Sequence, residues 1–362
     1  MKYRMATLLA QRPLLPSGFI QRPRDALSWA RYLALHEAIR LPLLGLQRLT
    51  FAMAGQRSAP NKALVRNVRR RYRQLLAQDF ENARRGLYPM QLLLELPLRA
   101  YARRLPRLLL DVPSVLGRIK ARDYRDLPGS VDLEAYPAYY RRNFHWQTDG
   151  YLSRHSAEIY DLGVELLFIG CADVMRRQTL AEVVRRKPRG PVRLLDVGTG
   201  TGRFLGQAAR SLPGSELVGV ELSPWYQSFA QTAAANCGAS ERVRIEVANA
   251  EALPFEGRSF DVVTSIFLLH ELPRRVRRKV LSEIRRVLVP GGLVVLQDAA
   301  QPSDSPEISP ALQQFSKDLH EPFFDDYLKD DLEALLEESG FRVRDVAPHF
   351  VSKVVSAENL AD

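Results

Sequence analysis

Cysteine is almost absent from this chain. Its 362 residues include two, Cys171 and Cys237, and the six histidines (His36, His145, His155, His270, His320 and His349) are scattered along the sequence. Neither a disulfide framework nor a zinc-ligand cluster can be assembled from ligands so few and so far apart, so no metal is expected and a reducing, cytoplasmic compartment is. Long apolar runs are missing too. Arg, Lys or Pro interrupts every leucine-rich stretch before it reaches the roughly 18 residues a bilayer span needs, which argues against a membrane-spanning segment. The opening residues, MKYRMATLLAQRPLLP, hold a short apolar patch without a small-residue cleavage site, and no secretory leader is expected. With 46% hydrophobic and 26% charged residues the composition is that of a folded globular chain, and its length suggests more than one domain.

Acidic residues are scarce in the first third. Residues 1–130 hold 25 Lys and Arg against 8 Asp and Glu, residues 131–190 hold 9 against 8, and residues 191–362 hold 18 against 25. Charge and pattern together suggest three regions: a basic helical amino-terminal domain (1–130), an aromatic-rich helical lid or connector (131–190) and an α/β domain (191–362). Over Asn61 to Arg85 the residues Val65, Val68, Tyr72, Leu75, Leu76 and Phe80 fall on one stripe, with Arg66, Arg69, Arg70, Arg73 and Arg84 on the other surfaces. Met90 to Leu110 again sets arginines beside leucines and is expected to be broken at Pro97 and Pro106. The plainer reading is that these leucines pack on one another. The functional reading is an interfacial helix that meets anionic lipid and associates peripherally with a membrane.

Between Glu134 and Tyr160, seven aromatics (Tyr136, Tyr139, Tyr140, Phe144, Trp146, Tyr151 and Tyr160) mix with His145, Gln147 and Asp149. Such a mixture suits either a ligand-facing lid or a clamp between domains. Ala157 to Arg186 reads as one or two helices ended by the KPRGP turn at 187–191.

From Val192 the period changes. VRLLDVG is a short buried-type strand followed at once by GTGTGRFLGQAARSL, a glycine loop that opens a helix. Gly198, Gly200 and Gly202 permit a tight turn and a close approach of backbone N–H groups to a ligand. A dinucleotide fingerprint would require a further glycine where Arg203 stands, which disfavours NAD. The next strand ends in Glu221, a carboxylate able to accept hydrogen bonds from both hydroxyls of a ribose. Further strands at RVRIEVAN, SFDVV and LVVLQD alternate with helices, one of them Arg274 to Leu288. That order predicts right-handed crossovers and a parallel, doubly wound sheet.

LLDVGTGTGRF, VGVELS, ANAEALPF, SFDVV and RRVLVPGGLVVLQD, in this order, resemble the class I S-adenosylmethionine-dependent methyltransferases, most nearly the branch of ubiquinone and menaquinone C-methyltransferases. The resemblance covers 190–300 and, more weakly, 330–355. It implies an α/β fold: a doubly wound, seven-stranded Rossmann-like methyltransferase sheet closed by an antiparallel strand pair, here preceded by an α-helical amino-terminal domain. It also implies S-adenosyl-L-methionine as cofactor. Asp196 with Gly198, Gly200 and Gly202 would hold the methionine moiety, Glu221 the ribose, Leu222 the adenine face, Asn249 and Ala250 the adenine edge, and Ser265 and Ile266 the surroundings of the sulfonium. Asn249 departs from the family's usual Asp, which suggests a tuned site. Gly291 and Gly292 are expected only to turn the chain, and Asp261 only to cap its strand.

Methyl transfer from a sulfonium is an in-line displacement that asks the protein mainly for alignment and exclusion of water, with a base where the acceptor must lose a proton. His270, after the fourth strand, is the candidate base, with a mere loop position as the plainer alternative. Tyr151, His320, Glu321, Phe324 and Tyr327 are the candidates for the acceptor pocket. A small lipophilic or aromatic acceptor is expected. The alternatives are RNA, held by the basic amino-terminal region, and a cofactor-binding regulatory protein without catalysis. Against RNA, strand four ends in SIFL without the Asn/Asp-Pro-Pro-aromatic motif of adenine amino methylation, and no Pro-Cys nucleophile is present.

Overall fold

The computed structural model describes residues 23–53, 61–121, 123–145, 147–187, 189–318 and 321–360. The opening segment, Trp146 and His320 lie outside the described residues. Five parallel strands, β1 (Arg193–Val197), β2 (Glu216–Glu221), β3 (Val243–Val247), β4 (Phe260–Ile266) and β5 (Leu288–Ala299), are completed by β6 (Phe341–His349) and β7 (Ser352–Asn359). The sheet order is β3-β2-β1-β4-β5-β7-β6, and β7 runs antiparallel to both of its neighbours. This is the doubly wound, seven-stranded arrangement expected above. Pro290 to Gly292, expected as a turn ahead of the fifth strand, is drawn into β5, whose pairing with β4 shifts register between Phe260 and Val262. Asp261, expected to cap its own strand, instead serves the neighbouring one: its carboxylate accepts the backbone N–H of Arg193, the first residue of β1, at 2.8 Å.

Side chains alternate across the sheet, and each face has its own helices. Leu194, Leu217, Val262 and Val295 point to the face covered by α5 (Ala172–Arg186), α6 (Arg203–Ser211) and α7 (Pro224–Asn236). Leu195, Val218, Val263 and Leu296 point the other way, toward α8 (Arg274–Val287) and α11 (Leu332–Glu338). On α8 the apolar positions Val276, Val280, Leu281, Ile284 and Val287 are all buried, one stripe at helical spacing.

The amino-terminal helices extend the first of these cores. Trp29 and Tyr32 of α1 (Pro23–Met53), with Tyr72, Leu75, Leu76 and Phe80 of α2 (Lys62–Arg84), belong to the same apolar cluster as Val174, Met175 and Leu180 of α5. The α2 stripe therefore packs inward as the plainer reading expects, except that Val65 is 44% exposed. Asn61 starts α2 by accepting the Ala63 N–H on its side chain. Under this layer Asp79 accepts hydrogen bonds from Tyr32 (2.5 Å), Tyr88 (2.7 Å) and both Nε and Nη2 of Arg177 (2.8 and 2.7 Å).

The break expected at Pro106 is absent. Pro97 sits just ahead of α3 (Leu98–Ala121), and the helix runs through Pro106 and Pro113. An interior proline removes one backbone bond and crowds one carbonyl. Here α3 lies along α4 (Arg154–Leu167), with the Arg107–Glu158 ion pair and the contact between Asp111 and His155 (2.8 Å) joining the two helices across both proline positions.

Candidate active site

Two adjoining chambers lie beyond the carboxyl ends of the central strands, the place where doubly wound sheets take ligands. The first is bounded by Gly198 and Gly200 after β1, Glu221 and Leu222 at the end of β2, Asn249 and Ala250 after β3, and Ile266 to Leu268 at the end of β4. Tyr139, Tyr140, Tyr151, Tyr160 and Tyr226 close it from the side. The second is bounded by His145 and His270 and otherwise largely by apolar side chains. Leu108 of α3, Val164 and Leu167 of α4, and Leu312 and Phe315 of α9 (Ser309–Asp318) form much of its wall, with Gln47 of α1 beside them. Tyr160, Phe267 and Glu271 border both chambers. Phe267 holds a left-handed backbone (φ 55°), unusual for a bulky residue, and stacks on Phe168 with ring centroids 5.4 Å apart.

Glu221 is the central acid of the first chamber. Its Oε2 accepts the Gly200 N–H at 2.9 Å and its Oε1 the Ser223 N–H at 3.0 Å. Burial pushes its pKa up to about 7 against these donors. The three glycines divide their work. All have positive φ, but only Gly200 has open space where a Cβ would stand; a Cβ on Gly198 would meet Leu268 at 3.2 Å, and one on Gly202 would meet Ala230 of α7 at 2.9 Å. Gly202 is thus demanded by helix packing rather than by a ligand. Arg203, the residue that breaks the dinucleotide pattern, ion-pairs with Asp173 and ties α6 to α5.

Seven of the ten residues expected around the cofactor line the first chamber: Gly198, Gly200, Glu221, Leu222, Asn249, Ala250 and Ile266. Asp196, Gly202 and Ser265 do not. Asp196 is buried between strands, accepts the Thr264 hydroxyl at 2.7 Å, and burial pushes its pKa up to about 6. The Ser265 hydroxyl donates to the Val197 carbonyl at 2.9 Å. Both are turned into the sheet because strand neighbours alternate sides. The Asn249 side-chain oxygen accepts the Glu251 N–H at 2.9 Å and so shapes the turn after β3.

Of the residues expected at the acceptor, Phe324 of α10 (Phe324–Tyr327) borders the apolar chamber. Tyr151 borders the glycine-loop chamber instead and donates its hydroxyl to Glu271 Oε1 at 2.5 Å. Tyr327 is fully buried and donates to the Ala299 carbonyl at 2.7 Å, a packing role. Glu321 is buried and reaches the chamber only through His145.

His270 is buried on the wall of the apolar chamber, with Nδ1 against Asp298 Oδ1 at 2.6 Å. Burial opposes its charged form, but the Asp298 carboxylate, together with Glu321 and Glu271, outweighs burial and raises its pKa above the ordinary value. His145 Nε2 donates to Glu271 Oε1 at 2.7 Å, and its Nδ1 faces Glu321. Burial opposes its charge as well, and the two glutamates override it and push the pKa up to about 10. The scattered histidines thus converge after all: one ligand atom each from His145, His270 and Glu321 lie within 4.8 Å of one another, correcting the expectation that no metal-ligand group forms. Two histidines so far apart in the chain leave no local spacing to read. Gln47, Leu108 and Val164 escape sequence reasoning for another reason, since leucine at helical spacing looks alike whether it faces a core or a cavity.

Residues 194–292 match the family described as a methyltransferase domain. A demethylmenaquinone methyltransferase of Deinococcus radiodurans is 35% identical over 145 residues, which is 40% of this chain and 57% of that protein. A sterol 4-C-methyltransferase of Caenorhabditis elegans is 35% identical over 113 residues, 31% of this chain and 33% of that one. The chain therefore spans between a third and three fifths of the length of these two relatives. Among solved structures, a SAM-dependent methyltransferase from Aquifex aeolicus superposes on 51% of this chain and 89% of its own, with 19% identity and a TM-score of 0.40. Over residues 194–292, with its glycine loop and ordered strand ends, the chain is similar to methyltransferase domains, among them that of a demethylmenaquinone methyltransferase.

Proposed function

We propose that this protein transfers the methyl group of S-adenosyl-L-methionine to a small lipophilic acceptor of the quinone-precursor, phenol or lipid class. The observation that carries the proposal is the pair of chambers meeting at Tyr160, Phe267 and Glu271, one polar with a glycine loop and a ribose-suited acid, the other apolar. In this reading Glu221 accepts the two ribose hydroxyls, Leu222 lies on the adenine, Asn249 and Ala250 meet its edge, and Gly198 and Gly200 leave room for the methionine moiety. The sulfonium comes to the Phe267 border, so that acceptor, methyl carbon and sulfur align with water excluded. His270 presents Nε2 to the acceptor while Asp298 holds Nδ1, the pairing that keeps an imidazole ready to take a proton. The relatives named above, a demethylmenaquinone and a sterol methyltransferase, support a lipophilic substrate.

The same reading assigns a pair of tasks to the amino-terminal helices: α1 and α3 wall the acceptor chamber, and α3 meets an anionic membrane. On α3 the exposed residues Leu98, Arg99, Arg103, Leu109 and Leu110 recur at helical spacing on its outer side, Leu109 being one position from Leu108 in the chamber wall. No helix among the described residues is long and apolar enough to cross a membrane. Calorimetry with S-adenosylhomocysteine is expected to show one site per chain. Sedimentation is expected to show binding to phosphatidylglycerol vesicles that Leu110→Glu weakens. Absence of S-adenosylhomocysteine binding overturns the reading, and salt-sensitive RNA binding without vesicle binding transfers it to an RNA acceptor.

A further inference from the structure

We infer that His145, His270 and Glu321 form a divalent transition-metal site on the wall of the apolar chamber, for an ion such as Zn²⁺ that takes an oxygen of the acceptor as an additional ligand. Each imidazole has one nitrogen engaged by a carboxylate outside the trio; the other nitrogen of His270 is open, and that of His145 faces Glu321. His270 is held through Nδ1 by Asp298 at 2.6 Å, which leaves Nε2, and His145 is held through Nε2 by Glu271 at 2.7 Å, which leaves Nδ1. A histidine that binds a metal through one nitrogen and donates from the other to a carboxylate is the usual orienting arrangement of a metal centre, and it occurs here twice. The third group, Glu321, comes from a different segment and has a fully buried side chain.

The buried polar atoms among these groups are incompletely satisfied. His145 Nδ1 and Glu321 Oε1 are in contact as an ion pair, and Glu321 Oε2 makes no hydrogen bond. A buried carboxylate with one oxygen unbonded is costly, and a cation shared with two imidazoles removes the cost. One ligand atom from each residue lies within 4.8 Å of the others, which side-chain rotation brings to the spacing of ligands about 2.0–2.2 Å from one ion. Two nitrogens and a carboxylate suit Zn²⁺ or Fe²⁺ and disfavour Mg²⁺ and Ca²⁺, which take oxygen ligands. Three protein ligands leave a position open, and His145 and His270 both border the chamber.

The inference rests on the methyl-transfer reading only for the identity of the oxygen ligand. In the metal-free protein the His270 Nε2 lone pair is available to the acceptor's proton; with the ion bound it is a ligand, and the ion polarises the acceptor oxygen instead.

The test uses the full chain stripped with a chelator and titrated with Zn²⁺ by calorimetry and with Co²⁺ by visible absorption, with S-adenosylhomocysteine binding measured on the same preparations. One ion per chain is expected, with a Co²⁺ spectrum of four- or five-coordinate geometry. Asp298→Asn is expected to lower affinity by about 10- to 100-fold, and Glu321→Gln at least as far. Wild-type protein that binds no stoichiometric ion overturns the proposal without recourse to any variant, as does ion binding unchanged in Glu321→Gln. Ion binding without S-adenosylhomocysteine binding leaves the metal site standing and removes the methyl-transfer reading.

Discussion

Replacing Gly202 by alanine separates what the glycine loop does for folding from what it does for a ligand. Gly202 has φ of 77°, and a Cβ there would stand 2.9 Å from both Cα and Cβ of Ala230 on the neighbouring helix α7. The left-handed backbone costs an L-residue about 1–2 kcal/mol. Forcing a methyl group into packed helices adds about 1–3 kcal/mol, for a total of roughly 2–5 kcal/mol. Gly200 is the control, because its φ of 57° carries the backbone cost while nothing stands within 4 Å of its Cβ. In urea titrations Gly202→Ala is expected to lower the midpoint clearly more than Gly200→Ala. Calorimetry with S-adenosylhomocysteine is expected to reverse the order, Gly200→Ala losing more affinity. Adding Ala230→Gly to Gly202→Ala should recover only part of the packing share, because the backbone Cα of residue 230 still stands 2.9 Å from the new Cβ. Equal midpoints for the two alanine variants, or undiminished ligand affinity in Gly200→Ala, would refute the division of labour.

The other expectations concern ionisable groups. His270→Ala should leave S-adenosylhomocysteine affinity intact and cut turnover of the metal-free enzyme by about 10²- to 10⁴-fold; unchanged turnover retires the base assignment. Because the pKa of His270 is raised, that turnover should climb with pH as the ring loses its proton. Glu221 has its pKa pushed from 4.5 to about 7 by burial, so between these values the folded protein binds a proton that the unfolded chain does not. Its contribution to stability therefore falls as pH rises through that window, while ligand affinity, which needs the carboxylate, rises to a plateau above about 7. Glu221→Gln should flatten its share of both profiles, leaving the share of Asp196, which titrates nearby at about 6; a wild-type-like affinity profile in that variant would contradict the assignment. Asp79→Ala strands the buried Arg177 and removes the acceptor of two tyrosine hydroxyls, so a loss of about 3–5 kcal/mol is expected in denaturant titration.

Much of the parallel sheet could be read from the residues themselves. Runs such as RLLDV and FDVVTSI announce strands buried on both faces, and Gly198 to Arg203 announces a loop that opens a helix and rejects a dinucleotide. Seven expected cofactor neighbours line one chamber because each sits at or just past a strand's carboxyl end, and strand ends are what such patterns locate well. Asp196 and Ser265 miss the chamber because motif order places a residue along a strand but says little about which way it turns. The acceptor wall was hidden more thoroughly. Leu108, Val164 and Leu312 come from three helices whose mutual placement depends on long-range packing, and the meeting of His145 with His270 depends on how the aromatic segment folds over the sheet. Pro106 misleads for a related reason, since neighbouring α4 holds in place a helix that its own backbone would favour interrupting.

The apolar cluster that joins α1 and α2 to α5 has a practical consequence. A recombinant fragment beginning at residue 191 would retain every motif of the methyltransferase domain yet lose the helical slab that roofs β4 and β5 on one side. Val262 and Val295 would then face solvent as a sticky plane, the kind of surface that drives precipitation. A fragment that keeps this plane covered thus has to begin ahead of α5, and α5 in turn carries the apolar surface on which α1 and α2 pack.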